Sequence, residues 1–72
     1  MNHPRLSPKQ CRVISLIAQG YTNVDIALLM DISPLTVAEY VTISCDKLGA
    51  LNRANAVAIA LGQGVVRNPY GQ

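Results

Sequence analysis

The chain has 72 residues, 50% of them hydrophobic, with three Tyr, no Trp or Phe, and a formal net charge of +2. A chain this short makes one domain and withdraws only about 60% of its unfolded surface from water, so its core must be assembled from aliphatic side chains and alanine. No apolar run approaches the ~20 residues needed to span a bilayer, and the start Met1-Asn2-His3-Pro4 lacks the apolar core of a secretory signal. A cytoplasmic protein with no membrane partner is therefore expected.

Residues 1–5 are expected to be a flexible N-terminus. The first helix opens at Ser7-Pro8-Lys9-Gln10, which combines an N-cap Ser, a Pro at the position that needs no N–H, and a Gln to complete a capping box. Val13, Ile14, Leu16 and Ile17 give it one apolar stripe to about Gln19, and Gly20 is placed to end it in a left-handed conformation. Thr22-Asn23-Val24-Asp25 is a second capping box, opening a short helix through Met30 with Ile26, Ala27, Leu29 and Met30 as its apolar face. Asp31 and Ile32 make a turn, and Ser33-Pro34 repeats the cap-plus-proline start. Val37, Val41, Cys45 and Leu48 form the buried stripe of a third helix, which Gly49 stops. Asn52 caps a fourth helix from Arg53 to about Gly62, and the chain after Gly64 is expected to fray.

These elements predict an all-α fold, a four-helix bundle in which helices two and three have the length and connection of a helix-turn-helix. The domain is expected over residues 6–66, with a flexible tail over 67–72. Cys11 and Cys45 lie in apolar sequence without zinc spacing or a disulfide framework, so both are read as reduced, small apolar residues. The single His3 lies near the terminus, and no paired carboxylates, phosphate-cradling glycine loop or nucleophile-base pair is readable. Neither an enzyme, a metal site nor a cofactor is expected.

The segment "LSPKQCRVISLIAQGYTNVDIALLMDIS", followed by Thr36-Val37, Val41 and "KLGALNRANAVAIA", resembles the DNA-binding output domain of LuxR-type (GerE-type) regulators over residues 6–66. A sigma-factor promoter-reading domain shares the opening pattern, but Lys47-Leu48-Gly49 and the helix from Arg53 to Val57 favour the LuxR type. The resemblance implies a transcription regulator whose third helix enters the major groove of duplex DNA and whose fourth helix supplies a dimer contact. The start methionine and the self-contained length suggest a single-domain member, and a domain excised from a longer regulator has the same appearance.

The charge distribution sets a conflict with that expectation. All four acids, Asp25, Asp31, Glu39 and Asp46, fall between Gly20 and Leu48, where Lys47 is the only base. The family pattern usually has charged residues at Pro34 and Leu35, Lys at Ala38 and often His at Tyr40; this chain has none of them. What remains for DNA is Thr36 and Thr42 for phosphates or base edges, Leu35, Val37 and Ala38 for thymine methyls, and Tyr40 for a phosphate. The helix starts at Thr22 and Asn23 and at Ser33 to Leu35 offer backbone N–H groups, and Lys9, Lys47 and Arg53 match family positions near the DNA backbone. Leu35, Ala38, Ile43 and Leu51 are expected to form an exposed apolar patch, with Ser44 polar where the family is often apolar. Helix four is apolar almost all round: Ala56, Val57 and Ala60 match the family's inward positions, which implies that they face inward, leaving Ala54, Ala58, Ile59, Leu61 and Gly62 for a homodimer, or for a heterodimer with a larger LuxR-type regulator. The second of these makes the domain an antiactivator, a protein-interaction module that blocks the larger protein's dimerisation or DNA binding.

Overall fold

The computed structural model describes residues 5–66, so the N-terminal expectation for residues 1–4 and the tail over 67–72 lie outside the described residues. Four helices follow in order, α1 (Pro8–Ala18), α2 (Asn23–Met30), α3 (Pro34–Leu48) and α4 (Arg53–Gly62), with no strand among the described residues. Each starts where a side-chain oxygen satisfies a free first-turn N–H. Ser7 and Gln10 form one reciprocal capping box and Thr22 and Asp25 the other, while Ser33 accepts from the Thr36 N–H and Asn52 from the Asn55 N–H. Helix α3 ends at Gly49 with φ +68°, a conformation that glycine adopts without penalty. Asp31 ends α2 in the same left-handed region, at φ 57° and ψ 49°, which Asp tolerates better than most residues.

The interior divides into two apolar clusters. One joins Val13 and Leu16 of α1, Ile26 and Ala27 of α2 and Val37 of α3, with Met30, Ile32, Tyr40 and Val41 packed against it. The other joins Ile14 to Ala56 and Ala60 of α4 and to Val66, with Cys45, Leu48 and Leu61 alongside. Ile17 touches both. Helices α2 and α3 meet at a bend of 105°, within the range of a helix-turn-helix. No single helix among the described residues is long and apolar enough to cross a membrane.

Two expectations change, and a buried polar residue is added to the core. Leu29 is 51% exposed rather than part of the inner face of α2, because Ile26, Ala27 and Met30 already occupy the side turned to α1 and α3. The chain does not fray at Gly64: Val66 is buried, and the N–H groups of Val65 and Val66 both donate to the Ala60 carbonyl. Ser44 is fully buried, with its hydroxyl donating to the Tyr40 carbonyl at 2.7 Å. That position requires a small side chain, and the hydroxyl is satisfied inside its own helix.

Core truncation and hydroxyl removal should therefore differ sharply. Ile26→Ala should lower unfolding free energy by about 2–5 kcal/mol, whereas Ser44→Ala, which removes donor and polar atom together and leaves Tyr40's carbonyl its helical bond, should change it by less than about 1 kcal/mol. Urea denaturation of the two variants measures both.

Candidate nucleic-acid interface

Helix periodicity places Leu35, Ala38 and Thr42 on one face of α3, since residues three and four apart are neighbours on a helix surface. Leu35 is 71% exposed, Thr42 is exposed and Ala38 is half-buried. Glu39, Ile43 and Asp46 are exposed beside them. The open face of α3 thus presents neutral and acidic side chains. Val37 is a correction: with no exposed surface it is a core residue and cannot touch a thymine methyl.

The other candidate groups are placed as follows. The Thr36 hydroxyl lies 2.9 Å from that of Ser33, so it belongs to the α3 cap as well as to the outer surface. Tyr40 is half-buried and its ring packs on the first cluster. At the start of α2, Thr22 accepts from the Asp25 N–H and donates its own N–H to the Asp25 carboxylate. An acid therefore stands in the first turn where a phosphate would approach. Asn23 Oδ1 is buried without a hydrogen-bond partner and, as an acceptor, does not itself hold a phosphate.

Of the three bases, Lys47 is engaged inside the domain. Its ammonium donates to Gln10 Oε1 at 2.9 Å and to the Arg5 carbonyl at 3.1 Å. Gln10 is only 7% exposed, and the same Oε1 accepts the Ser7 N–H at 2.8 Å. One amide oxygen thereby joins the α1 cap to the last turn of α3. Local sequence pattern gives no signal for this contact, which spans 37 positions. Lys9 is exposed, and with Arg12 it edges a shallow groove of about 450 Å³ that Val65 and Val66 help to line. Arg53 is half-buried at the start of α4.

On α4, Ala54, Ala58 and Gly62 are exposed, and Ile59 is half-buried. Leu61 packs on the second cluster, so part of its apolar surface serves the domain's own core. Ala56 and Ala60 are fully buried and Val57 packs beside them, the inward face expected of them. Leu35, Ile43 and Leu51 are all exposed apolar residues, Leu51 at 92%. No group of three or more His, Cys, Asp or Glu able to hold a metal occurs among the described residues.

Four capped helices, a two-helix unit bent at 105° and an open outer face on its second helix define a helix-turn-helix domain of the LuxR type, the DNA-binding class of domain in bacterial transcription regulators. The family model for bacterial regulatory proteins of the luxR family matches residues 4–60. The quorum sensing-dependent transcriptional regulator RpaR of Rhodopseudomonas palustris is 38% identical over 63 residues, covering 88% of this chain and 26% of that protein. The transcriptional regulatory protein YdfI of Bacillus subtilis is 35% identical over 65 residues, covering 90% of this chain and 30% of that protein. The solved structure of the transcription factor GerE matches with a TM-score of 0.84 at 25% identity, over 88% of this chain and 94% of that one. The chain belongs to the luxR family, a family of transcription regulators and not of enzymes. It spans 26% to 30% of the length of these two curated relatives.

Because the Lys47 ammonium is held by two internal acceptors, Lys47→Met should lower stability by about 1 kcal/mol, below the usual value for charged hydrogen bonds because the site is partly wet. The urea midpoint measures this; a wild-type midpoint would mean that the contact contributes nothing.

Proposed function

We propose that the domain regulates transcription by binding duplex DNA, with the N-terminal half of α3 in the major groove and two copies joined through α4. The observation that carries this reading is the open face of α3 at Leu35, Ala38 and Thr42, held at the helix-turn-helix angle in a luxR-family domain. Contacts there are van der Waals contacts to thymine methyls and hydroxyl contacts from Thr36 and Thr42 to phosphates or bases. Tyr40 adds a hydroxyl for a phosphate. Thr22 and Asn23 contribute backbone N–H groups at a helix start. Lys9 and Arg53 supply the charge, while Lys47 acts by fixing α3 against α1. The dimer contact is assigned to Ala54, Ala58 and Gly62, with Ile59 and the outer part of Leu61 at its margin; small side chains there permit close helix approach. The protein works inside the cell, where its DNA is.

A second reading is favoured by one observation: the open face of α3 has acids and apolar side chains but no base. In that reading the domain is an antiactivator that pairs with a larger LuxR-type regulator through α4 or the outer face of α3. Co-expression with such a regulator distinguishes the two, because an antiactivator lowers the regulator's DNA occupancy and a separate DNA-binding regulator leaves it unchanged.

Fluorescence anisotropy with a labelled random-sequence duplex tests the first reading. With two phosphate-neutralising bases per protomer, log K should fall with log salt with a slope of about −2 per protomer. Arg53→Ala should reduce the magnitude by about 1, and Lys47→Met by clearly less. Ala58→Glu should abolish the dimer in sedimentation equilibrium. Absence of binding at about 50 mM salt by the folded domain would overturn the DNA-binding reading.

A further inference from the structure

We propose that the outer stripe of α2, formed by Val24 and Leu28 with Leu29 beside them, docks a protein helix whose apolar stripe is edged by Lys and Arg. Helix α2 has only eight residues, and its inward positions Ile26 and Ala27 are buried. On the other side Val24 is 58% exposed and Leu28, one turn later, 79% exposed. Leu29 is 51% exposed, and Tyr21, just before the helix, 40% exposed. A single exposed leucine is ordinary, but apolar side chains one turn apart on the outside of one short helix form a contiguous strip, the feature that marks protein contact surfaces. Neither α4 nor the open face of α3 contains these residues, and at the start of α2 the DNA-binding reading uses only the backbone N–H groups of Thr22 and Asn23, so the side chains of Val24 and Leu28 are outside the surfaces assigned to DNA and to the dimer.

Charge selects the partner. Asp25 and Asp31 are exposed near the two ends of α2, and Glu39 and Asp46 are exposed on α3. From Val13 to Asp46 the chain contains no Lys or Arg, and the next base, Lys47, is held by Gln10 and the Arg5 carbonyl. The strip is thus flanked on its own helix by two exposed acids, Asp25 and Asp31, and α2 itself contains no Lys or Arg. A helix laying an apolar stripe along Val24 and Leu28 gains from Lys or Arg at its margins and is opposed by Asp or Glu there. The requirement is met by an amphipathic basic helix of another protein.

The test uses the isotope-labelled domain and two synthetic helical peptides with the same leucine stripe, one edged by Lys and the other by Glu. Amide shifts in NMR titrations should centre on residues 21–29, and the Lys-edged peptide should bind at least about tenfold more tightly, since like charges at an interface cost affinity. Leu28→Ser and Val24→Ser, both at exposed positions, should each weaken that peptide by roughly tenfold, the scale of a buried aliphatic side chain. Both variants should keep the wild-type spectrum and DNA affinity, which separates this surface from the DNA-binding reading. Equal affinity for the two peptides, shifts centred on α3 or α4, or no binding would overturn the proposal. Shifts at Val24 and Leu28 that grow with protein concentration in the absence of peptide would also overturn it, by assigning the strip to a second copy of the chain.

Discussion

Helix α3 is buried along one side through both apolar clusters, at Val37, Tyr40 and Val41 in the first and at Cys45 and Leu48 in the second. Because the two clusters are contributed by different helices, α2 at one end and α4 at the other, rotating α3 about its axis would expose apolar surface in both at once. Its outer face is thereby fixed. The contacts that achieve this are small and aliphatic: Ala27, Ala56 and Ala60 bring backbones close where larger domains use aromatic rings. In a domain of this size, whose net stability is expected to be a few kcal/mol, losing one such contact removes a large share of the total.

The polar seam at Gln10 acts in the same direction. Its amide oxygen accepts from the α1 cap and from Lys47, so the first turn of α1 and the last turn of α3 share one acceptor. This engages the ammonium of Lys47, the one base on α3, with acceptors of the domain itself. The acids remain exposed, with Asp25 committed to capping α2 and Glu39 and Asp46 on the outside of α3. A luxR-family fold is thus combined with a third helix whose open face has acids and no base. Fold and site chemistry are separable in this way, and the result favours recognition by shape and neutral contacts over charge.

Helix starts were legible because each is written locally: Ser7, Thr22, Ser33 and Asn52 all cap where their side-chain chemistry indicates. The inward face of α4 was legible from the family resemblance, whose inward positions Ala56, Val57 and Ala60 match. Three features were hidden by physics acting across the chain. Ser44 falls on the buried stripe by spacing, but its polarity concealed a position where volume matters more than polarity. On α2, apolar residues on every side leave periodicity no contrast, so Leu29 could not be assigned to the outside. Lys47 and Val66 take their places through distant partners, Gln10 and the Ile14 cluster, and no window of neighbouring residues contains that information. For the candidate site, the family resemblance indicated the positions, and the complete burial of Val37 removes it from the set, as its place on the predicted buried stripe of α3 already implied.

In the proposed complex, α3 presents a usable but nearly uncharged surface to DNA. An NMR titration of the labelled domain with a short random-sequence duplex at low salt tests it most directly, because it locates contact residue by residue whatever the affinity. Amide shifts are expected at Thr22 and Asn23, along α3 from Leu35 to Thr42 and at Arg53 at the start of α4, with Val24 and Leu28 on the outside of α2 silent. Shifts confined to the basic margin at Lys9 and Arg12, with α3 unperturbed, would contradict it, since the duplex would then be held by charge alone and the recognition helix would have another use.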